Sequence, residues 1–329
     1  MGWFMQNMRA QRAVLTWLLA VLAAIAVFVV AAIPAAAMTV TFVRHGQSEG
    51  NASGLIDTKV PGPPLTDTGW TEADYLVDPE NPAALHTAAY DGVYASTMVR
   101  TQQTATPFAA VKYHSGDQSA VTTSTDPYHP DYGSDIVVLN GLQEISAGIF
   151  EGSPEGSGIG RIGYILAPVA WTLGLRFVRI PGSENGNEFD ARVDAALAQM
   201  AGPEQGDSDN PVVFSHGATI MFWTMMNVDN PDLLLLLQHP LDNTDVVVVE
   251  QNDAGGWTLV SWAGEDVDQD PSLPVKLFVN TRDLIVAPQT ATYNMREPLL
   301  ALDGPAIVET AAQGVSDVGA ATVTFARNT

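Results

Sequence analysis

Cysteine is absent from all 329 residues. Disulfide frameworks, Cys-ligated zinc, iron–sulfur clusters and thiol nucleophiles are therefore outside the chemistry open to this chain. Cationic side chains are scarce as well, 14 Lys+Arg against 37 Asp+Glu for a formal net charge of -23. Affinity for nucleic acid comes from lysine and arginine neutralising phosphates, so no nucleic acid partner is expected. A phosphorylated ligand would need the few arginines gathered in one place, which makes their positions informative. Apolar residues, by contrast, are plentiful at 46%, too many for a disordered chain and enough for one large packed domain.

Charge is missing altogether between Arg12 and Arg44. Within that stretch Ala13 to Ile33 is apolar except for Thr16, and Arg9 and Arg12 form a positive flank. Pro34 ends the run, and Ala35-Ala36-Ala37 offers a small-residue cleavage site. Residues 1–37 are read as a signal peptide or membrane anchor, 38–265 as the domain that carries the chemistry, and 266–329 as a C-terminal extension of unknown role. The flank orientation places the folded part outside the cytoplasm, secreted or in the cell envelope. Membrane contact is expected only through residues 1–37, if they are retained.

Thr39 to Val43 alternates and meets Arg44-His45-Gly46, a strand that delivers polar residues at its carboxyl end. Val93 to Ala95, Ile136 to Leu139, Val212 to Phe214 and Val246 to Val249 are short apolar runs suited to strands buried on both faces. Between them lie helical patterns. Thr66 is placed to cap a helix carrying Trp70, Ala73 and Val77, and Ser96 to cap one running toward Phe108. Phe189, Val193, Ala196, Leu197 and Met200 form one apolar stripe. Lys112 to Asp135 and the Gly-rich Gly152 to Gly163 read as loops. The alternation predicts an α/β three-layer sandwich, a mostly parallel central sheet flanked by helices, with ligands beyond the carboxyl ends of the strands.

The chemistry concentrates at two strand ends. In Arg44-His45-Gly46-Gln47-Ser48-Glu49-Gly50-Asn51 a histidine nitrogen can attack phosphorus, an arginine can hold phosphate oxygens, and glycine lets backbone approach an anion. Val212-Val213-Phe214-Ser215-His216-Gly217 ends a second strand in a histidine followed by glycine. A parallel sheet would set the two histidines side by side. His86, His114, His129 and His239 lack metal-ligand spacing and read as surface residues.

These segments resemble the histidine phosphatase superfamily, in its phosphoglycerate-mutase-like branch. The match runs in order from about Thr39 to Glu250. Leu65-Thr66-Asp67-Thr68-Gly69 is similar to the start of the family's first helix, and Tyr94 to Ala105, with Arg100, to its second arginine motif. Leu142-Gln143-Glu144 through Phe150-Glu151-Gly152 is similar to its acid-bearing loop, and Gly182-Ser183-Glu184 with Arg192 and then Val212 to Gly217 complete the order. The resemblance implies that His45 becomes phosphorylated while Arg44, Arg100 and His216 grip the phosphoryl group and Asn51 adds a hydrogen bond. Glu144 would protonate the leaving oxygen and then activate water; Gln47 and Ser48 would add weaker contacts. Glu184 and Arg192 are expected to form an internal ion pair or a helix-start contact.

Two arginines and two histidines supply the positioning and the cationic donors that phosphoryl transfer needs, so neither metal nor cofactor is required. Neighbouring Arg44 and Arg100 would lower the pKa of His45, while a dianionic substrate would favour a charged His216. An acidic to neutral pH optimum is expected. The family's acid phosphatase and phytase branch follows the second histidine with aspartate; here Gly217-Ala218 follows. After Glu144 the mutases need extra contacts for a substrate carboxylate, and Ile145-Ser146-Ala147-Gly148 offers none, although Arg161, Arg176 and Arg179 lie downstream. The reading is an exported phosphatase acting on a small phosphorylated substrate or a phosphoprotein. The alternatives are a mutase-type phosphotransferase and a non-catalytic envelope binding protein on the same fold.

Overall fold

A computed structural model describes residues 37–267 except 157, 203–207 and 254. The expected leader, but for Ala37, and the expected extension, but for its first two residues, lie outside the described residues. Seven strands form one sheet in the order β3-β2-β4-β1-β5-β6-β7. They are β1 (Thr39–Arg44), β2 (Gly92–Ala95), β3 (Val137–Val138), β4 (Pro211–Ser215), β5 (Val246–Gln251), β6 (Trp257–Trp262) and β7 (Glu265–Asp266). The pairs β3·β2, β2·β4 and β4·β1 are parallel, and β5 to β7 add an antiparallel meander along the other side of β1. The sheet is thus mixed, with its parallel half where the two histidine motifs end.

Helices cover both faces because the strands are apolar on both. Successive residues point to opposite faces, so Phe42, Tyr94 and Val213 enter one core while Val43, Val93 and Val212 enter another. The first core is closed by the helices α4 (Ile159–Thr172), α5 (Gly186–Met200) and α6 (Gly217–Asn227), through Trp171, Phe189, Val193 and Trp223. The second is closed by α3 (Val99–His114), through Ala105, Phe108 and Ala109, and by Leu76 just after α2 (Asp67–Tyr75). The short α1 (Glu49–Ser53) and α7 (Leu235–Gln238) complete the helices longer than one 3-10 turn among the described residues. None of those described is long and apolar enough to cross a membrane.

The expected stripe Phe189, Val193, Ala196, Leu197 and Met200 is the buried face of α5. Thr66 caps α2, its hydroxyl accepting from the Gly69 amide, but Val77 falls beyond that helix. Ser96 is not the cap of α3, which starts after Met98. Its hydroxyl is drawn instead into contacts with Met98, Thr101 and His216. The Gly-rich stretch is loop only to Gly158, since Gly160 and Gly163 lie in α4.

Candidate active site

Strand order brings the two histidines together. Arg44 pairs with Ser215 across β1·β4, so the next residue on each strand, His45 and His216, emerges at the same edge. Their ring centroids are 5.1 Å apart, and both are buried. The His45 amide donates to the Ser215 carbonyl at 3.0 Å, which extends the strand pairing into the site.

The contacts of His45 define its tautomer. Nδ1 lies 2.7 Å from the Gly46 carbonyl, which can only accept, and Arg100 Nε, which can only donate, lies 3.0 Å from Nε2. The hydrogen is therefore on Nδ1, and Nε2 carries the lone pair. Burial, then Arg100, then Arg44, press the His45 pKa well below its ordinary 6.5.

His216 is the N-cap residue of α6. Its Nε2 is 2.7 Å from Ser96 Oγ, and its Nδ1 is buried without a hydrogen-bond partner among the described residues. Burial, Arg100 and His45 hold its pKa well below 6.5. The expected opposition between the two histidines does not arise from the protein's own groups, which push both toward neutrality; only a bound dianion would separate them.

Arg100 sits in the first turn of α3, buried, with one terminal nitrogen on the Asp57 carbonyl at 3.2 Å. Arg44 leaves the end of β1 and donates to the Leu241 carbonyl. Arg44 Nε and Arg100 Nη1 are buried without a partner among the described residues. With His216 Nδ1 this makes three orphaned nitrogens around His45. Buried polar groups are ordinarily hydrogen-bonded, so three together mark a place for an acceptor-rich ligand.

Glu144 reaches the same pocket from the loop after β3. One carboxylate oxygen accepts from the Thr219 amide and hydroxyl, each at 3.0 Å, and from the Ile145 amide at 2.8 Å. The other lies 3.3 Å from the Ala218 amide. The carboxylate is thus docked on the first turn of α6. Its loop is fastened by Arg192, which donates to the Gly141 and Gln143 carbonyls at 2.6 and 2.8 Å while gripping Glu184 through two hydrogen bonds of 2.9 and 2.8 Å. Ser215 Oγ holds the Leu142 carbonyl at 2.7 Å. The expected Glu184–Arg192 ion pair exists, and the same arginine ties down the loop that carries Glu144.

Arg44, His45, Ser48, Asn51, Arg100 and Glu144 line one pocket of about 350 Å³, together with Tyr164 and Arg161. Asn51 spends its side-chain oxygen on the Ser48 amide and hydroxyl, at 3.1 and 3.0 Å, so its NH₂ is the group it offers a ligand. Ser48 reaches the lining, but its hydroxyl is taken by the cap of α1, donating to Asn51 Oδ1 and accepting from the Asn51 amide. Gln47 does not join the lining. Its side-chain oxygen accepts from Thr66 Oγ1 at 2.8 Å, and its amide donates to Glu72. The glycine of the first motif is required by packing. A Cβ on Gly46 would lie 2.6 Å from the Gly69 carbonyl oxygen, so the glycine lets this loop lie against the start of α2.

Of the three downstream arginines only Arg161 borders the pocket. Arg176 is buried against Asp190 at 2.7 Å, and Arg179 pairs with Glu188 at the surface. Ser96, Thr219 and Tyr164 are site residues that the motifs did not point to. Tyr164 donates to the Ile145 carbonyl at 2.9 Å. The apolar spacing of Ile162, Ile165, Leu166 and Val169 was the signal for the helix that carries it.

Two adjacent parallel strands of a mixed α/β sheet thus end in neighbouring histidines, with Arg100 bonded to one of them. The chain belongs to the histidine phosphatase superfamily (branch 1), whose sequence model matches residues 40–120 and 110–264. It is 42% identical over 299 residues to the PE-PGRS family protein PE_PGRS11 of Mycobacterium tuberculosis, covering 88% of this chain and 47% of that protein. The chain therefore spans about half the length of that curated relative. Among solved structures, a mycobacterial glucosyl-3-phosphoglycerate phosphatase in complex with VO3 is 18% identical, with 69% of this chain and 98% of that chain covered and a TM-score of 0.47. A phosphoserine phosphatase from Entamoeba histolytica in complex with 3-phosphoglyceric acid is 18% identical, with 70% and 98% covered and a TM-score of 0.46.

Proposed function

We propose that this protein is a phosphomonoesterase that works through a phosphohistidine on His45. The observation that carries the reading is the set of three orphaned buried nitrogens, from Arg44, Arg100 and His216, around an imidazole whose Nε2 lone pair is free of a proton. A phosphoryl group supplies the acceptors that those nitrogens lack.

In the first step Nε2 attacks phosphorus, the N–P bond forms as the P–O bond to the leaving group breaks, and Glu144 gives that oxygen its proton. Arg100 donates to the same Nε2 lone pair, so its guanidinium turns to the equatorial oxygens as the pair is used. In the second step Glu144 takes a proton from water, the water oxygen bonds phosphorus, and the N–P bond breaks to restore neutral His45 and release phosphate. Arg44, Arg100 and Asn51 stabilise the oxygens throughout, and His216 does so through Nδ1.

Action outside the cytoplasm belongs to the same proposal and rests on the sequence of residues 1–37 alone. A reporter fused after residue 267 and active only when exported tests it; a reporter active only in the cytoplasm would contradict it. For the activity, the full chain should hydrolyse an aryl phosphate between pH 4 and 8 without added metal. A folded protein inert to every phosphomonoester would contradict the reading.

A further inference from the structure

The charged groups occupy only part of the pocket. Its volume, about 350 Å³, is that of a site for a whole small ligand; Asp57, Thr58, Glu155 and Arg161 also line it, and one side of it is apolar, formed by Ile165, Val169, Met221, Phe222, Leu236 and Leu237. This lining does not stop at the mouth. Val169 and Leu237 belong to the pocket and to the outer surface at once, Leu237 being 80% exposed. From Val169 the apolar surface continues along α4 through Leu166 and Ile162, 65% and 67% exposed.

The helix α4 is apolar on two faces. Tyr164, Ala167 and Trp171 turn inward to the core or the site, while Ile162, Leu166 and Val169, spaced i, i+4 and i+7, share the outward face. Arg161 is its only charged residue. A surface helix of a soluble domain ordinarily turns its polar side to water, so a contiguous apolar strip is a surface that gains from being covered. Here that strip leads directly out of the site where phosphate is proposed to bind.

We infer that the substrate is a phosphomonoester of a long apolar alcohol, an alkyl or isoprenyl phosphate. Its head meets Arg44, Arg100 and His45, and its chain leaves between Val169 and Leu237 to lie along Leu166 and Ile162. The inference rests on the phosphatase reading above and adds the class of leaving group. A sugar or polyol laid along the side toward Val169 and Leu237 would set hydroxyl groups against apolar side chains and lose their hydrogen bonds to water.

The test is kcat/KM of the full chain for n-alkyl phosphates from ethyl to decyl, each below its critical micelle concentration, beside glycerol phosphate and an aryl phosphate. Each added methylene that reaches the strip should raise kcat/KM about two- to fourfold, so decyl phosphate should exceed ethyl phosphate by about 50-fold or more. In Leu166→Glu, a change at an exposed position, the decyl-to-ethyl ratio should fall at least about fivefold; an unchanged ratio would overturn the path along α4. A flat series, or a preference for glycerol phosphate, with the aryl phosphate still hydrolysed, would overturn the inference and leave the phosphatase reading standing. Failure to hydrolyse any member would overturn both.

Discussion

Arg100 Nε donates to His45 Nε2 at 3.0 Å, while the Gly46 carbonyl takes the hydrogen of Nδ1 at 2.7 Å. The two contacts hold one imidazole in one tautomer and one orientation, with the Nε2 lone pair covered by a group whose Nη1 has no hydrogen-bond partner among the described residues. In the proposed mechanism the arginine that aligns the nucleophile is thus also the one that would receive the phosphoryl group.

Replacing Arg100 by lysine should therefore harm more than charge. An ammonium keeps the positive charge but cannot donate to Nε2, Asp57 and a phosphoryl oxygen from one planar fork. Arg100→Lys should lower kcat/KM about 100-fold, measured with an aryl phosphate on protein shown to melt as the parent does. Retention of near-parental activity would mean that the fork is not used.

Arg192 touches no atom of the proposed phosphoryl site, yet it fixes the carbonyls of Gly141 and Gln143 just ahead of Glu144. Arg192→Ala removes four hydrogen bonds and leaves the Glu184 carboxylate, largely shielded from solvent, without its partner. The expected cost is about 2 kcal/mol of stability. A positioning role also predicts a split in the kinetics: kcat should fall about 10-fold or more with KM changed less than about threefold, and Arg192→Lys should recover part of kcat. A loss of stability with kcat intact would make the contact structural only.

The depressed histidines set a pH dependence with a defined sign. His45 and His216 bind protons less readily when folded than at the unfolded value of 6.5. Below that value the unfolded chain takes up more protons. Stability is then full above about pH 6.5 and declines as pH falls toward the folded-state values, by up to about 1.4 kcal/mol per pH unit for each histidine. Denaturant titrations between pH 5 and 7.5 should show this slope, and it should shrink in a His45→Ala, His216→Ala double variant. For kcat/KM, the limb due to His45 should lie well below pH 6.5, because the proposed mechanism has neutral imidazole attack.

Close packing of the first motif against α2 predicts a sharp response at Gly69. A Cβ there would stand 2.1 Å from the Gln47 carbonyl oxygen, so the loop and the helix start must separate. Gly69→Ala should destabilise the protein by about 2 kcal/mol. A melting temperature unchanged by the substitution would show that the two segments part easily.

Much of this was legible in the sequence because the parallel strands are written as short apolar runs, each ending at a chemical motif. His45 and His216 could be paired on that pattern, and the β1·β4 register pairs them. Arg44, Arg100, Asn51 and Glu144 also reach one pocket. What was not legible depends on contacts distant in the chain. Ser96 looked like a local cap, but its hydroxyl meets His216, 120 positions away. Gln47 and Ser48 sit in the motif, yet Thr66 and the α1 cap compete for their side chains. Tyr164 was hidden because glycines at 160 and 163 lower helix propensity locally, and tertiary packing of Ala167 and Trp171 overrides that cost. The β6–β7 meander lay in a stretch whose acidic and turn residues masked its strands.

The proposed mechanism turns on a phosphoryl group carried on His45 Nε2. Mixing the full chain with a phosphorus-labelled aryl phosphate, quenching in base, and mapping the label by mass spectrometry tests it directly, since a phosphoramidate survives alkali and is lost in acid. One acid-labile, alkali-stable phosphate is expected on the peptide containing His45, absent in His45→Ala together with turnover. Turnover that persists in His45→Ala, or a label found on another residue, would contradict it.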